Sequence, residues 1–264
     1  DATLPACAAD AGDVPDGGAC LRAVEATVLD ENGAPLPNLL GSVCGTDCFF
    51  GTTDADGHLV VPVGSHVRAD EYSLILHGRP ALAGYYTTLP APAAGVSRFA
   101  RPLRVAAFPD TGPVVDTNRA AQTLTSGDVT LTVPAGVEVQ PSVEDTGDGN
   151  PLRFRARLVP PALAPPFLDA ASPAPDALYA LAPYEALLDG AGARLSFANR
   201  LGLPAGTTLD LLALGSLLDP TVDRPAPGVL ARIGAAHVSL DGKTIEADAP
   251  VHFLTWFALR KKGN

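Results

Sequence analysis

Residues 43–63, VCGTDCFFGTTDADGHLVVPV, concentrate two cysteines, three aspartates and a histidine, which are residue types that bind metal ions. Zinc takes four sulfur or nitrogen ligands, usually in closely spaced pairs, but only CGTDC has such spacing and His58 stands alone. A calcium loop would need further oxygen ligands after Asp54 and Asp56, where the sequence becomes apolar. The pattern favours a β-hairpin over a zinc or calcium site. Asp56 and Gly57 would supply left-handed backbone, and Asp54 would bond to its own neighbours.

The four cysteines, Cys7, Cys20, Cys44 and Cys48, form an even set that three pairings could satisfy. Pairing of sequence neighbours is the simplest, because a Cys7–Cys20 bond closes the leader CAADAGDVPDGGAC, which has too little apolar content to fold alone. In the loop-entropy description this bond contributes about 3 kcal/mol and a Cys44–Cys48 bond roughly 2 kcal/mol. Disulfides persist in oxidising compartments, so we expect an exported protein without reactive thiols unless reductant is added.

A second group of oxygen ligands stands in VEDTGDGNP at 143–151. The candidate calcium ligands are Glu144, Asp145, Asp148 and Asn150, which could all contribute from one loop. A polar hairpin loop has the same composition, and we take that as the simpler interpretation with calcium as its alternative. No other metal and no cofactor is predicted.

The sequence carries no linear catalytic motif. It has no glycine-rich phosphate loop, no GxSxG elbow and no HExxH helix. The histidines are scattered through segments predicted to be strands and turns, which favours surface or edge positions; they are His58, His66, His77, His237 and His252. We predict a protein that is not an enzyme. A catalytic site assembled in space is the alternative, because triads are recognised by geometry and not by spacing.

Three arginines form a stripe on one predicted strand. PLRFRARLVPP places Arg153, Arg155 and Arg157 on one face and Phe154, Ala156 and Leu158 on the other. The arginines could bind an anion. A solvent-exposed face balanced by nearby carboxylates is the simpler interpretation, because the whole chain is acidic.

Aromatic residues near the end of the chain could stack on sugars. In HFLTWF, alternation sends Phe253 and Phe257 to one face and Trp256 to the other, so we expect at least one set in the core. Aromatic residues make up only 6% of the chain, which weakens a carbohydrate-binding surface as an interpretation.

Composition bounds the class of protein. The formal net charge is −11, which disfavours nucleic acid and anionic membrane surfaces as partners. No segment is apolar over the length needed to cross a bilayer. Methionine is absent and the first residue is Asp1, so we expect a processed, exported chain. The excess of arginine over lysine and the abundance of alanine suggest a bacterial origin.

The first half of the chain alternates apolar and polar residues between sharp turns. AVEATVL is followed by the turn DENG, and the segments TTDADGHLVVPV and EYSLILHG continue the same pattern. In this order the segments resemble the carboxypeptidase regulatory-like domain, over about 21–92. The resemblance implies a transthyretin-like sandwich of seven strands, used for structure or contact, with no active site.

The second half shows the same alternation and a second resemblance. GDVTLTVPAGV, the stretch from YALAPYEALLDG to LDLLAL, and the ending GAAHVSLDGKTIEADAPVHFLTWF are similar to the β-sandwich domain of zona occludens proteins and netrin receptors. Some relatives of that family cleave themselves at a His-Phe-Ser motif. Here His252 and Phe253 are followed by Leu254, so the nucleophile is missing and self-cleavage is not implied.

These observations predict an all-β protein of two consecutive β-sandwich domains with a disulfide-stapled leader. The predicted parts are the leader 1–20, a sandwich over 21–92, a linker or shared edge strand over 93–117, and a second sandwich over 118–264. The predicted function is a non-catalytic structural or protein-binding module, exported to the outer membrane surface, periplasm or extracellular space. Its partners would be proteins of a larger surface assembly, and a lipid anchor upstream of Asp1 is compatible with it. A carbohydrate-binding module and an enzyme with a spatially assembled site are the alternatives.

Overall fold

A computed structural model describes residues 4–7, 18–78, 81–142, 151–169, 171, 173–217 and 225–262. These residues are mostly strands and turns, and no helix among them reaches seven residues. The predicted all-β class is therefore confirmed. The chain divides into two compact units, and each unit is assembled from separate stretches of sequence. Unit 1 comprises residues 1–107, 163–170 and 226–229, and unit 2 comprises 108–162, 171–225 and 230–264.

Unit 1 contains two four-stranded sheets. Its strands are β1 (Ala19–Asp30), β2 (Leu40–Cys44), β3 (Cys48–Thr52), β4 (His58–Val67), β5 (Ser73–Leu76), β6 (Tyr85–Thr88), β7 (Val96–Arg98) and β8 (Leu103–Val105). In the first sheet β1 pairs antiparallel with β4 and parallel with β7 and β8. The second sheet has the order β3-β2-β5-β6 and is antiparallel throughout. A short 3₁₀ turn, Ala69–Glu71, leads from β4 to β5.

The interior of unit 1 follows from alternation and from two strand glycines. Val24, Ala26 and Val28 of β1 are buried, as their spacing predicts. A Cβ atom on Gly51 would lie 2.3 Å from the carbonyl oxygen of Val60, and one on Gly41 would lie 2.6 Å from a methyl group of Leu59. The absence of side chains at these positions therefore lets the second sheet pack closely on β4.

Two aspartate turns connect the strands of unit 1. The carboxylate of Asp30 accepts from the N–H groups of Asn32 and Ala34, and Asp54 accepts from those two and four residues further on, at distances of 2.8–2.9 Å. The predicted DADG turn is therefore present, but the predicted hairpin is wrong, because the turn leads from β3 in the second sheet to β4 in the first sheet and these two described strands do not pair. Gly57 has the left-handed backbone, with φ of 74°, whereas Asp56 does not, because one residue with positive φ is enough to reverse the chain here.

Two short segments from later in the sequence complete unit 1 beside β5 and β6. Phe167, in the 3₁₀ turn Pro166–Leu168, packs edge-on against Tyr85 with ring centroids 5.9 Å apart. The hydroxyl of Ser73 donates to the carbonyl of Pro227 at 3.2 Å. The aromatic contact and the hydrogen bond are both internal to unit 1.

Unit 2 is built on one antiparallel sheet of nine strands. Its strands are β9 (Gln122–Ser126), β10 (Val129–Val133), β11 (Val139–Gln140), β12 (Arg155–Leu158), β13 (Ala177–Ala182), β14 (Leu187–Leu188), β15 (Arg194–Ala198), β16 (Thr208–Leu214), β17 (Leu230–Val238), β18 (Thr244–Ala247) and β19 (Phe257–Lys261). The large sheet has the order β12-β13-β19-β16-β17-β18-β15-β10-β9, and β11 pairs with β14 separately. A 3₁₀ turn, Pro161–Leu163, follows β12.

The two edges of this large sheet meet at Ser126. Its hydroxyl accepts a hydrogen bond from the N–H of Ala156 in β12, at 2.9 Å, and donates to Asp110 at 3.1 Å. Residues 110–115, which we call the strap, lie beside the residues that lead into β12. The N–H of Phe154 donates to the carbonyl of Pro113, and the N–H of Val115 donates to the carbonyl of Leu152. The sheet therefore curls round until β9 and β12 lie side by side, around a core formed by the inward side chains of its strands.

Several local predictions for unit 2 can be checked against its strands. The segment 176–190, predicted as a short strand and a turn, forms β13, a turn at Pro183 and β14. LDGK joins β17 to β18 as the predicted hairpin. Phe253, Phe257 and Trp256 are all buried, which confirms the expectation that at least one aromatic set lies in the core and leaves no sugar-stacking platform at these residues.

Candidate functional site

A serine, a cysteine and a histidine, which are residue types that can do chemistry, lie close together on the second sheet of unit 1. Ser42 and Cys44 are two residues apart on β2 and therefore share a face. His77 directly follows β5, and its main-chain N–H donates to the carbonyl of Leu40, which continues the pairing of β5 with β2. This pairing brings His77 Nε2 to 2.7 Å from the hydroxyl oxygen of Ser42.

The disulfide Cys44–Cys48 borders this pair. Both predicted local disulfides are present, Cys7–Cys20 and Cys44–Cys48. Cys44 and Cys48 are register partners in the β2–β3 hairpin, with Cα atoms 4.2 Å apart. Cys44 is 3% exposed and its sulfur lies 3.6 Å from the hydroxyl oxygen of Ser42, whereas Cys48 is an exposed residue. The two ends of this disulfide therefore have different surroundings.

The Ser42–His77 distance is that of a nucleophile and its base, but the burial of Ser42 argues against acyl transfer. A serine nucleophile must reach a substrate carbonyl, and Ser42 is 0% exposed. The pair can instead form a chain of hydrogen bonds from the imidazole of His77 through the hydroxyl of Ser42 to the sulfur of Cys44. No local motif reveals this pair, because 35 residues separate its members. The one usable signal is that alternation places Ser42 beside Cys44.

An exposed apolar strip adjoins the same disulfide on the outer surface of β3. Phe50 is 58% exposed, and Leu40, on the same sheet face, is also exposed. The carbonyl of Leu40 bonds to His77 beside β5, so by alternation the main-chain groups of Leu40, Ser42 and Cys44 all face β5. Their register partners on β3 therefore do not bond to β2, and the main-chain groups of these partners point away from it; they are Thr52, Phe50 and Cys48. We call these groups the outer edge of β3. Among the described residues, β3 forms a ladder with β2 only.

A second histidine pair lies on unit 2. Nδ1 of His237 is 2.6 Å from a carboxylate oxygen of Asp248, and both side chains are nearly half exposed. Glu246 and Thr208 are the register partners of His237 on the neighbouring strands. This geometry can hold the imidazole in one orientation. It supplies no nucleophile within hydrogen-bond distance of the ring in the described part of the chain.

The predicted metal ligands have different outcomes. All four cysteines are in disulfides, which removes them as zinc ligands. Within the described ranges no three His, Cys, Asp or Glu side chains are grouped as a metal site. The calcium candidates Glu144, Asp145, Asp148 and Asn150 lie outside the described residues. The remaining histidines occupy β4, at His58 and His66, and an exposed position at His252.

Two arginines of the predicted stripe donate hydrogen bonds to main-chain carbonyl groups. The guanidinium of Arg153 donates to the carbonyl of Gly112 at 2.9 Å, and that of Arg155 donates to Thr111 at 3.1 Å. These carbonyls belong to the strap. Arg155 and Arg157 make further interactions besides these, and the balance of the stripe by nearby carboxylates stays a prediction. Phe154 and Ala156 on the opposite face are fully buried, as alternation predicts.

Asp210 pairs with two arginines in unit 2. It accepts from Arg232 at 2.8 Å and from Arg260 at 3.2 Å. Burial alone would raise the pKa of Asp210, but the two guanidinium groups outweigh it and hold the pKa below its ordinary value. The charged pairs join β16 to β17 and β19, which are its neighbours in the sheet.

Comparisons with known proteins leave the family open. No protein-family description matches the chain, and no curated protein matches it significantly. In the part of the chain that is described, no helix has the length and apolar character needed to cross a membrane.

Proposed function

We propose that the chain is an exported, non-catalytic structural and protein-binding module of a cell envelope or extracellular assembly, and that it binds through the outer edge of β3. The observation that carries the proposal is the exposure of Phe50, at 58%, on a strand whose main-chain donors and acceptors point outward. A large aromatic side chain next to main-chain groups that pair with no other described strand is a typical anchor for a partner strand.

The two disulfides support the exported part of this proposal. Cys7–Cys20 ties the leader to the start of β1, and Cys44–Cys48 ties β2 to β3. Such bonds accumulate in oxidising compartments. The resemblance to a transthyretin-like module followed by a second sandwich points in the same direction, because those modules serve structure and contact.

The partner of this edge is an extended segment of another protein. Added strands bring main-chain hydrogen bonds for affinity and alternate side chains for specificity. The partner segment would place an apolar residue against Phe50 and basic residues around it, because the chain carries a net charge of −11. A second copy of this chain lacks that complementary charge.

Site-directed photo-crosslinking in the host cell tests the proposal. One variant carries a photoreactive amino acid at position 50, and the matched control carries it at Leu240, which is 96% exposed on unit 2. We expect one dominant adduct with a different protein from position 50 and none from position 240. Excess wild-type chain should compete the adduct away, whereas excess Phe50→Asp chain should not.

Two outcomes would contradict this assignment. Competition by the Phe50→Asp chain as efficient as that by the wild type would show that β3 is not the binding edge. An adduct consisting of two copies of this chain, with light scattering showing dimers, would replace the heterologous partner with self-association.

A further inference from the structure

We infer that Cys44–Cys48 is a thiol–disulfide exchange site, which small thiols attack at Cys48 while Cys44 departs towards Ser42 and His77. The substrates are thiolates of low molecular weight or of dithiol reductants. This activity does not depend on the protein partner proposed above, because its reagents need no docking surface.

The direction of attack follows from access to the two sulfurs. An incoming thiolate must approach along the sulfur–sulfur axis from outside the protein. Cys48 is an exposed residue on β3, and Cys44 is 3% exposed on the neighbouring strand. The reachable sulfur therefore belongs to Cys48. Cys7 and Cys20 offer no such contrast, because both are half-buried.

The departing sulfur has polar groups ready to receive its charge. Exchange is faster when the leaving thiolate is stabilised. With the proton on Nε2, His77 donates to the hydroxyl oxygen of Ser42 at 2.7 Å, and the Ser42 hydroxyl is then free to donate to the sulfur of Cys44, 3.6 Å away. The imidazole thus acts on the sulfur through the serine, which makes Ser42 and His77 positioning residues.

The reaction balances with two thiols. The first thiolate forms a bond to the Cys48 sulfur, the disulfide bond breaks, and its electron pair leaves on the Cys44 sulfur. A second thiolate attacks the first reagent's sulfur in the mixed disulfide, which releases Cys48 as a thiolate and the oxidised reagent as a disulfide. The two reagent thiols lose two electrons and two protons, and the protein disulfide gains both electrons and, through exchange with water, both protons.

The β2–β3 hairpin also allows the reverse reaction, in which the two thiols form the disulfide again. Cys44 and Cys48 remain register partners after reduction, because the β2–β3 ladder also includes Val43, Ser42 and Gly41. The two thiols therefore stay adjacent, and an oxidised reagent can restore the bond. The site would exchange electrons without unfolding unit 1.

The test is a timed reaction of the native protein with cysteamine, quenched with acid and mapped by peptide mass spectrometry. We expect the first mixed disulfide on Cys48. With dithiothreitol, we expect Cys44–Cys48 to open about tenfold faster than Cys7–Cys20. A first adduct on Cys44, or equal opening rates for the two disulfides, would overturn the inference.

A matched pair of serine variants tests the role of Ser42. Ser42 and Ser97 are both fully buried in unit 1, and the Ser97 hydroxyl donates to the carbonyl of Pro90. Ser42→Ala should slow the opening of Cys44–Cys48 by roughly threefold to tenfold and leave Cys7–Cys20 unchanged, while Ser97→Ala should alter neither rate. Equal rates for the two variants would remove Ser42 from the site. Adduct mapping on the wild type decides the exchange itself if Ser42→Ala does not fold.

Discussion

The two units secure their β-sheets by different means. Unit 1 uses covalent bonds, with Cys7–Cys20 on the leader and Cys44–Cys48 across a hairpin. Unit 2 contains no cysteine and brings the edges of its nine-stranded sheet together through Ser126 and the strap. Closure occupies edge groups with the protein's own hydrogen bonds, whereas a cross-link fixes strands and leaves an edge accessible. The exchange site and the binding edge that we propose both lie on unit 1, which is the unit with the cross-links.

The largest effect should come from Gly51→Ala in unit 1. The new Cβ would lie 2.3 Å from the main-chain carbonyl of Val60, which cannot move away cheaply. We expect a loss of about 3 kcal/mol in the free energy of unfolding, measured by chemical denaturation. The matched control is Gly234→Ala on β17, where a Cβ meets open space, and it should stay within about 0.5 kcal/mol of the wild type. Equal losses in the two variants would show that the close packing of Gly51 on β4 does not determine the stability of unit 1.

The next largest effect should come from removal of the disulfides, which should destabilise unit 1 and leave unit 2 unchanged. The double substitution of Cys7 and Cys20 by serine should cost unit 1 about 3 kcal/mol, and that of Cys44 and Cys48 roughly 2 kcal/mol, because the first bond closes the longer loop. Residue-resolved hydrogen exchange measures both losses. Protection of unit 2 should be unchanged, and a matching loss there would contradict the contrast between covalent and hydrogen-bonded closure.

Ser126→Ala tests the closure of unit 2. The substitution leaves the buried N–H of Ala156 without its acceptor, so we expect a loss of about 1–3 kcal/mol in the free energy of unfolding. Hydrogen exchange should also speed up at Ala156. Thr125→Ser, on the adjacent exposed position of β9, is the control and should change stability by less than about 0.5 kcal/mol. If both variants are equally stable, the edges are held by other contacts.

The smallest effect should be a pH-dependent one at Asp210. Its pKa is lowered in the folded state, so its stabilising contribution is present above the unfolded pKa, near about 4, and is lost as pH falls through the lower folded value. Asp210→Asn should therefore destabilise unit 2 at pH 7 by no more than about 1 kcal/mol. The difference should vanish near pH 2 in urea titrations. A difference that persists at pH 2 would point to packing and not to charge.

Much of the fold was accessible from local patterns. Alternation identified the strand containing Val24, Ala26 and Val28, and Asp54 with Gly57 marked a turn, because both signals act over a few residues. The pairing of the strands on either side of that turn was not predictable, since it joins two different sheets. The cysteine pairs were also predictable, because each bond joins sequence neighbours and so closes the shorter of the available loops. Alternation predicted that at least one aromatic set of HFLTWF lies in the core, but it did not predict that Phe253, Trp256 and Phe257 are all buried.

The candidate site was mostly beyond sequence reasoning. Ser42 and His77 meet only because β5 pairs with β2 in one register, and no local signal sets that register. The carbonyls that receive Arg153 and Arg155 belong to an irregular strap, whose path depends on the closed sheet. Long-range pairing of this kind is decided by the packing of the whole unit and not by any one segment.

Unit 1 includes two segments from later in the sequence, which affects the order in which the nascent chain can fold. Residues 163–170 and 226–229 belong to unit 1 but are synthesised after much of unit 2. A polypeptide that has emerged only to residue 107 has Tyr85 without the ring of Phe167, and Ser73 without the carbonyl of Pro227. Maturation therefore cannot proceed strictly from the amino terminus to the carboxyl terminus. We therefore expect a truncation after residue 107 to be less stable than unit 1 of the whole chain, because it lacks these two contacts.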